Sequence, residues 1–164
     1  MTVLSSEKDL DALTLTFVAE FNADASRVWQ LWEDPRQLER WWGPPTFPAT
    51  FERHEFREGG SSRYFMTGPE GEKPRGWWAI TEIDAPRRFA FDMGFSGDDG
   101  EPDGSMPAQA LATLEEHGDR TRMTIVSTFL NPDQMEQMIA MGMEEGMREA
   151  LGQIDALLAE SVSA

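Results

Sequence analysis

The segment Asp-Pro-Arg-Gln-Leu-Glu-Arg-Trp-Trp-Gly-Pro, residues 34–44, separates two kinds of sequence pattern and so decides the fold. Asp34-Pro35 is typical of a helix start, because proline is favoured at the first helical position. Gly43-Pro44 is typical of a helix end. Before this segment, a stripe of apolar residues at helical spacing follows Asp24, and after it the pattern changes to that of strands. The sequence therefore predicts two short helices between a first strand and a sheet.

The two tryptophans at the end of the second helix, Trp41 and Trp42, allow two interpretations. An indole combines a large apolar ring with one polar N–H, so such a pair suits the partly wet mouth of a cavity. The pair equally suits a corner where the helix packs into the core. The sequence does not choose between these interpretations.

Alternating apolar residues predict the strands. Residues 11–21 alternate and form the first strand, and turn signals between residues 49 and 130 leave room for about six more. The clearest alternation is Phe89, Phe91, Met93 and Phe95, which predicts one strongly apolar sheet face. One of the adjacent residues Trp77 and Trp78 should share that face.

A long helix is predicted at the C-terminus. Asn131-Pro132 supplies an N-cap and a first-turn proline, and a broad apolar stripe then continues to about Glu160. We expect one continuous helix over residues 131–160. Residues 1–10 carry no such pattern and are expected to be a flexible N-terminus of a single domain spanning residues 1–164.

Composition excludes several classes of function. The 164-residue chain has a net charge of -16, which repels nucleic acid phosphates. It contains no cysteine, so disulfides and thiolate metal sites are excluded. No segment approaches the run of about 18 apolar residues that a membrane span requires. We expect a cytoplasmic protein with no nucleic acid partner and no membrane span.

Few residues suggest catalysis. The two histidines, His54 and His117, lack the spacing of a paired metal site, and no cofactor motif occurs, so we predict no metal, no cofactor and no identifiable catalytic residue. If any polar side chain orients a ligand, the candidates are His54, Arg63 and Asp92, with Tyr64 as a further polar residue. An acid–base enzyme would need His54 or Asp92 inside a cavity.

The order of elements is that of an α+β fold in which a curved sheet covers a long helix. The chain resembles the helix-grip START-like (SRPBCC) superfamily, and specifically the C-terminal domain of the activator of heat-shock protein ATPase. Five segments carry the resemblance: Val28-Trp29, residues 34–44, Phe56-Arg-Glu-Gly-Gly60, Ile83-Asp-Ala-Pro-Arg-Arg-Phe89 and Gly118-Asp-Arg-Thr-Arg-Met123. The resemblance implies about seven antiparallel strands around the C-terminal helix, with two short helices after the first strand.

The resemblance also implies a cavity between the concave sheet face and the long helix. Apolar side chains from both walls are then the expected ligand contacts, although the same side chains could fill the space as an ordinary core. These predicted ligand-binding residues are Trp42, Phe65, Trp78, Phe89, Phe91, Met93, Met135, Met138 and Met147.

Three functions follow as hypotheses. The first is a binding protein for an apolar or amphipathic small molecule. The second is a chaperone partner, as the resemblance implies, although the chain shows no counterpart of the activator's separate N-terminal domain. The third is an enzyme of the cyclase or hydrolase kind on polyketide-like or lipid-like substrates. The sequence does not choose between a monomer and a homodimer.

Overall fold

A computed structural model describes residues 3–43, 46–96, 108–140 and 143–162. It confirms the α+β helix-grip fold, with eight strands in one antiparallel sheet that does not close on itself. The strands are β1 (Val3–Asp9), β2 (Thr14–Phe21), β3 (Ala49–His54), β4 (Ser61–Met66), β5 (Arg75–Asp84), β6 (Arg88–Ser96), β7 (Ala108–His117) and β8 (Arg120–Thr128). Their spatial order is β1-β2-β8-β7-β6-β5-β4-β3.

The helices are α1 (Ala25–Glu33), α2 (Pro35–Trp41), α3 (Pro132–Ala140), α4 (Met143–Gly152) and α5 (Ile154–Val162). The two short helices after the first predicted strand are α1 and α2. Asp24 caps α1 by accepting from the Arg27 N–H, and Asp34 caps α2 by accepting from the Arg36 N–H.

The C-terminal helical region expected as one helix over residues 131–160 is interrupted within the described residues, where a turn separates α4 from α5. Gln153 forms a turn between α4 and α5, and its side-chain amide donates to the carbonyls of Trp41 at 3.2 Å and Gly43 at 2.8 Å. This pair of hydrogen bonds joins the helix break to the turn after α2. Residues separated by more than a hundred positions make these contacts, so helical periodicity alone did not reveal the break.

The N-terminal residues also differ from expectation. Residues 3–9 form β1, an edge strand paired with β2, where a flexible terminus was expected. The described part of β1 is largely exposed, and it is held by backbone hydrogen bonds rather than by an alternating apolar face. A strand of this kind has no periodic signal in the sequence. The sheet therefore has eight strands where about seven were expected, and β1 is the additional one.

The turn after α2 needs a glycine at position 43. Gly43 has a φ of +97°, and a Cβ there would lie 2.4 Å from the Phe47 carbonyl oxygen. Only glycine adopts this conformation without strain and without that clash. The turn directs Trp41 and Trp42 inward, where both are buried.

Candidate binding site

The two faces of the sheet are best distinguished at the middle of β5 and β6. Trp78 pairs with Met93 on the inner face, and Trp77 pairs with Gly94 on the outer face. The Trp77 ring covers Gly94, since a Cβ at that glycine would lie 2.8 Å from the indole nitrogen. Trp78 is therefore the inward member of the pair, and it is completely buried.

The inner face carries a continuous aromatic cluster. Trp78 stacks on Phe91 with ring centroids 4.5 Å apart, and Phe91 stacks on Phe89 at 5.8 Å. Trp32 of α1 packs edge-on against Phe89 at 4.7 Å. The remaining members of this aromatic cluster are Trp29, Trp41, Trp42, Phe51, His54, Phe56 and Tyr64. Both tryptophans of the sequence pair thus pack in the core, as the second interpretation stated.

Two side chains of this cluster donate hydrogen bonds to backbone carbonyls at the C-terminal end of α1. The Leu31 carbonyl has no helical donor, because the residue four positions later is Pro35, which lacks an N–H. The Trp41 indole N–H donates to it instead, at 2.9 Å. The next carbonyl, on Trp32, accepts from His54 Nε2 at 2.7 Å. The end of α1 is therefore capped by side chains from α2 and β3.

His54 makes a hydrogen bond through each ring nitrogen. Because Nε2 donates to a carbonyl, Nδ1 is the accepting nitrogen of the neutral ring, and the buried Ser62 hydroxyl donates to it at 2.8 Å. Burial lowers the pKa of the imidazole below its ordinary value, and the Trp32 carbonyl and the charges of Asp34 and Glu33 oppose that shift. Both nitrogens serve the fold, so His54 is a poor candidate for an acid or base.

A different arrangement surrounds Tyr64. Its ring centroid lies 6.2 Å from that of Trp42 and 6.0 Å from that of Trp78, and the two indoles are 4.9 Å apart. Burial raises the pKa of the phenol, and interactions with the indole N–H groups of Trp42 and Trp78 oppose this. Neither N–H reaches hydrogen-bonding distance and angle with any acceptor of the described residues.

Gly76 on β5 lies opposite Tyr64 and makes room for it. A Cβ at Gly76 would lie 2.5 Å from the Tyr64 hydroxyl oxygen, so any larger residue would displace the phenol.

Half-buried methionines gather at the end of the sheet where β4 and β6 finish. Met66 is the last residue of β4, and Met93, the register partner of Trp78, lies three residues before the end of β6. The antiparallel order brings the end of β8 to the same place, so α3, which carries Met138, begins there. These methionines pack against the core yet retain exposed surface. Flexible thioethers at such a place can adapt to guests of varied shape.

The predicted ligand residues divide between the two faces. Trp42, Trp78, Phe89, Phe91 and Met135 are buried in the core, and Met93, Met138 and Met147 are half-buried and packed against it. Phe65 lies on the outer face, where Lys73 and Arg75 stand over its ring at 5.3 and 5.2 Å. The structure does not bring Phe65 to the others.

The three polar candidates divide in the same way. His54 lies on the inner face, opposite Ser62. Arg63 pairs with Trp77, and Asp92 with Ala79, both on the outer face. Tyr64, which was not among the predicted ligand contacts, also lies on the inner face; β4 alternates Ser62, Tyr64 and Met66 against Arg63 and Phe65, and this alternation was the available signal.

The described residues contain neither a cluster of metal ligands nor a membrane-spanning helix. Within those residues, no group of three histidine or acidic side chains is placed to hold a metal ion. Across residues 3–43, 46–96, 108–140 and 143–162, no helix has the length and hydrophobicity needed to span a bilayer.

Comparison with known proteins agrees with this fold. The model of the family "Activator of Hsp90 ATPase homolog 1-like protein" matches residues 22–159, and the chain belongs to this family. No curated protein matches the chain.

Several solved structures are similar over nearly the whole length. A protein from Arthrobacter aurescens, solved by solution NMR, is 59% identical with a TM-score of 0.92, covering 97% of this chain and 93% of that one. The crystal structure of protein Ms6760 from Mycobacterium smegmatis is 46% identical with a TM-score of 0.89, covering 97% and 99%. An NMR structure from Staphylococcus epidermidis is 26% identical with a TM-score of 0.83, covering 96% and 95%.

Proposed function

We propose that the protein binds an apolar or amphipathic small molecule at the methionine-lined end of the inner sheet face, beneath the C-terminal helices. The observation that carries this proposal is the change in packing along that face. Trp78, Phe89 and Phe91 are closed off, whereas Met93, the register partner of Trp78, and Met66, at the end of β4, are only half-buried. Apolar side chains that retain exposed surface beside a deep aromatic wall are typical of ligand sites.

The charge distribution near these residues supports an uncharged guest. The charged residues of β4 and β6, Arg63, Arg88 and Asp92, pair across the sheet with outer-face positions. Burial lowers the pKa of His54, the titratable ring on the inner face, so its charged form is disfavoured there. A charged group entering the inner face would therefore lose water without gaining a partner, at a high cost in free energy.

Native mass spectrometry of freshly purified protein tests the proposal. We expect a stoichiometric apolar molecule that is released on denaturation. In Met93→Gln, the amide puts a polar group on the inner wall, so the retained fraction should fall about tenfold, the effect of about 1.4 kcal/mol. Asp92→Asn is the matched control, because this neighbouring residue points to the outer face and should retain the wild-type amount.

Two results would contradict the proposal. One is a wild-type protein that retains no molecule and binds none from a panel of hydrophobic compounds. The other is equal retention by Met93→Gln and the wild-type protein, which would move the site away from this end of the sheet.

Family membership favours a second candidate, an interaction with a chaperone ATPase, since the family description names the activator of such an enzyme. Adding the protein to the chaperone of the same cell and measuring ATP hydrolysis tests it. Stimulation that Met93→Gln leaves intact would favour the chaperone over the small molecule. The cytoplasm suits either function and is the proposed location.

A further inference from the structure

We infer that the free edge of β1 is an interface with a second copy of this chain, in which the two β1 strands pair antiparallel and join the two sheets. The inference is independent of the small molecule proposed above. It starts from the strand order, which leaves β1 and β3 as the two edges of the sheet.

The edge at β3 is closed by side chains of α2. The Phe51 N–H donates to the Glu39 carboxylate at 2.6 Å, and Arg36 donates to the Phe51 carbonyl at 3.5 Å. Arg36 and Glu39 also form an ion pair with each other at 3.5 Å. The N–H and the carbonyl of Phe51 are therefore not available to an added strand, and this edge is protected against pairing.

The edge at β1 has no such cover among the described residues. β1 pairs with β2 on one side, and no described strand or side chain pairs with the backbone on its other side. An edge of this kind presents a row of unpaired N–H and C=O groups to any strand that approaches it. Leu10, directly after the strand, is 72% exposed. The two edges of the same sheet thus differ in whether they admit a further strand.

The charges of β1 are distributed over both faces of the sheet. Ser6 and Lys8 contact the Glu144 carboxylate of α4 at 2.9 and 3.5 Å, so both lie on the inner face. Glu7, between them, lies on the outer face. Arg148 lies 3.8 Å from the same carboxylate. Two cations thus share one carboxylate beside the free edge, in a chain whose net charge is -16.

These charges select the partner and the register. Of the antiparallel registers that oppose at least four residues of each β1, one places unlike charges opposite each other, namely Glu7 against Lys8 of the partner subunit. Two-fold symmetry makes this pair twice. Each Glu7 then supplies a second carboxylate to the two cations on the partner's inner face. The strand is therefore complementary to itself.

The same register avoids a collision between the two copies. Glu7 and Lys8 point to opposite faces of their own sheet, so placing them side by side turns one sheet over relative to the other. The C-terminal helices of the two copies then lie on opposite sides of the joined sheet. An overlap of four residues per strand buries little surface, which predicts a weak and reversible dimer.

Sedimentation velocity over a range of protein concentrations tests the inference. We expect the wild-type chain to dimerise reversibly, and the β1 amide signals in ¹⁵N NMR spectra to shift as the dimer forms. Glu7→Lys opposes like charges twice, so it should raise the dissociation constant about tenfold. It also makes the net charge less negative, so an effect of overall charge alone would strengthen association instead.

Two further variants sharpen the test. Lys8→Glu should weaken the dimer as Glu7→Lys does, and combining both substitutions exchanges the two charges and should restore dimerisation. Glu70→Lys is the matched control, because it makes the same charge change at an exposed turn residue between β4 and β5. This control should dimerise at least as well as the wild-type chain.

Three outcomes would overturn the inference. The first is a wild-type chain that stays monomeric up to millimolar concentration, even if an extended peptide of another protein adds to β1. The second is a dimer that neither single substitution weakens, since its interface would then lie elsewhere. The third is a doubly substituted chain that dimerises no better than the single variants, because the charge pairing from which the register is inferred would then be absent.

Discussion

The indoles on the two sides of the aromatic cluster differ in one respect, namely whether the N–H has an acceptor. On the side of α1 and α2, Trp32 and Trp41 donate to a sulfur and to a helix-end carbonyl. At the end of α2 and on β5, Trp42 and Trp78 have no acceptor in hydrogen-bonding geometry among the described residues. The comparison separates indoles whose N–H joins two segments of the fold from indoles whose N–H does not, although all four are buried.

The largest effect should come from Trp41→Phe compared with Trp78→Phe. Trp41→Phe leaves the buried Leu31 carbonyl unpaired in addition to a smaller ring, so we expect a loss of about 3 kcal/mol in the free energy of unfolding. Trp78→Phe loses only volume, at about 1–2 kcal/mol. Urea unfolding measures both. A loss in Trp78→Phe as large as that in Trp41→Phe would show that the acceptor is not what distinguishes the two sides.

The next largest effect should be on how the free energy of unfolding depends on pH, and it comes from His54, whose ring caps the end of α1. Burial makes the folded-state pKa of His54 lower than that of the unfolded chain, so the unfolded chain binds more protons as the pH falls. The free energy of unfolding should therefore decrease below about pH 6.5, by at most about 1.4 kcal/mol per pH unit from this group. Above that pH the contribution is constant.

Histidine variants isolate this contribution. His54→Gln should flatten the pH profile between neutral and mildly acidic pH, and His117→Gln, which changes the exposed last residue of β7, should leave it unchanged. Urea unfolding at several pH values provides the comparison. A profile that His54→Gln does not alter would place the titrating group elsewhere.

The smallest effects concern two hydroxyls on the same face of β4. Ser62→Ala removes the donor to His54 Nδ1 and should cost about 1 kcal/mol. Tyr64→Phe removes a hydroxyl that lacks a regular hydrogen bond to either indole, so a change below about 0.5 kcal/mol is expected. Thermal and urea unfolding would check both. A larger loss in Tyr64→Phe would show that the Tyr64 hydroxyl accepts from the Trp42 and Trp78 indoles and stabilises the fold.

Much of the fold could be predicted from the sequence, because periodicity depends on local geometry. The helix start at Asp34-Pro35, the helix end at Gly43 and the alternation around Phe91 depend on residues only a few positions apart. The strand β1 and the break at Gln153 could not be predicted, since each depends on contacts with distant parts of the chain.

The candidate site was predicted less completely. Alternation correctly grouped Phe89, Phe91 and Met93 on one face, but it could not decide between Trp77 and Trp78, nor show that Phe65 lies on the outer face. Adjacent residues of a strand point to opposite faces of the sheet, and residues two positions apart point to the same face. Which face is the inner one is known only from packing and cross-strand pairing, such as that of Trp78 with Met93.

The sequence by itself determined the order of elements from β2 to α3, the apolar face of the sheet and the family, because these depend on local spacing and on short motifs. Only the tertiary structure decided which polar atoms of that face are satisfied. His54 meets the Trp32 carbonyl across 22 positions of the chain, and the Trp32 indole meets Met123 across 91. Hydrogen bonds of this kind depend on distances of a few ångströms between distant segments, which neither composition nor periodicity specifies.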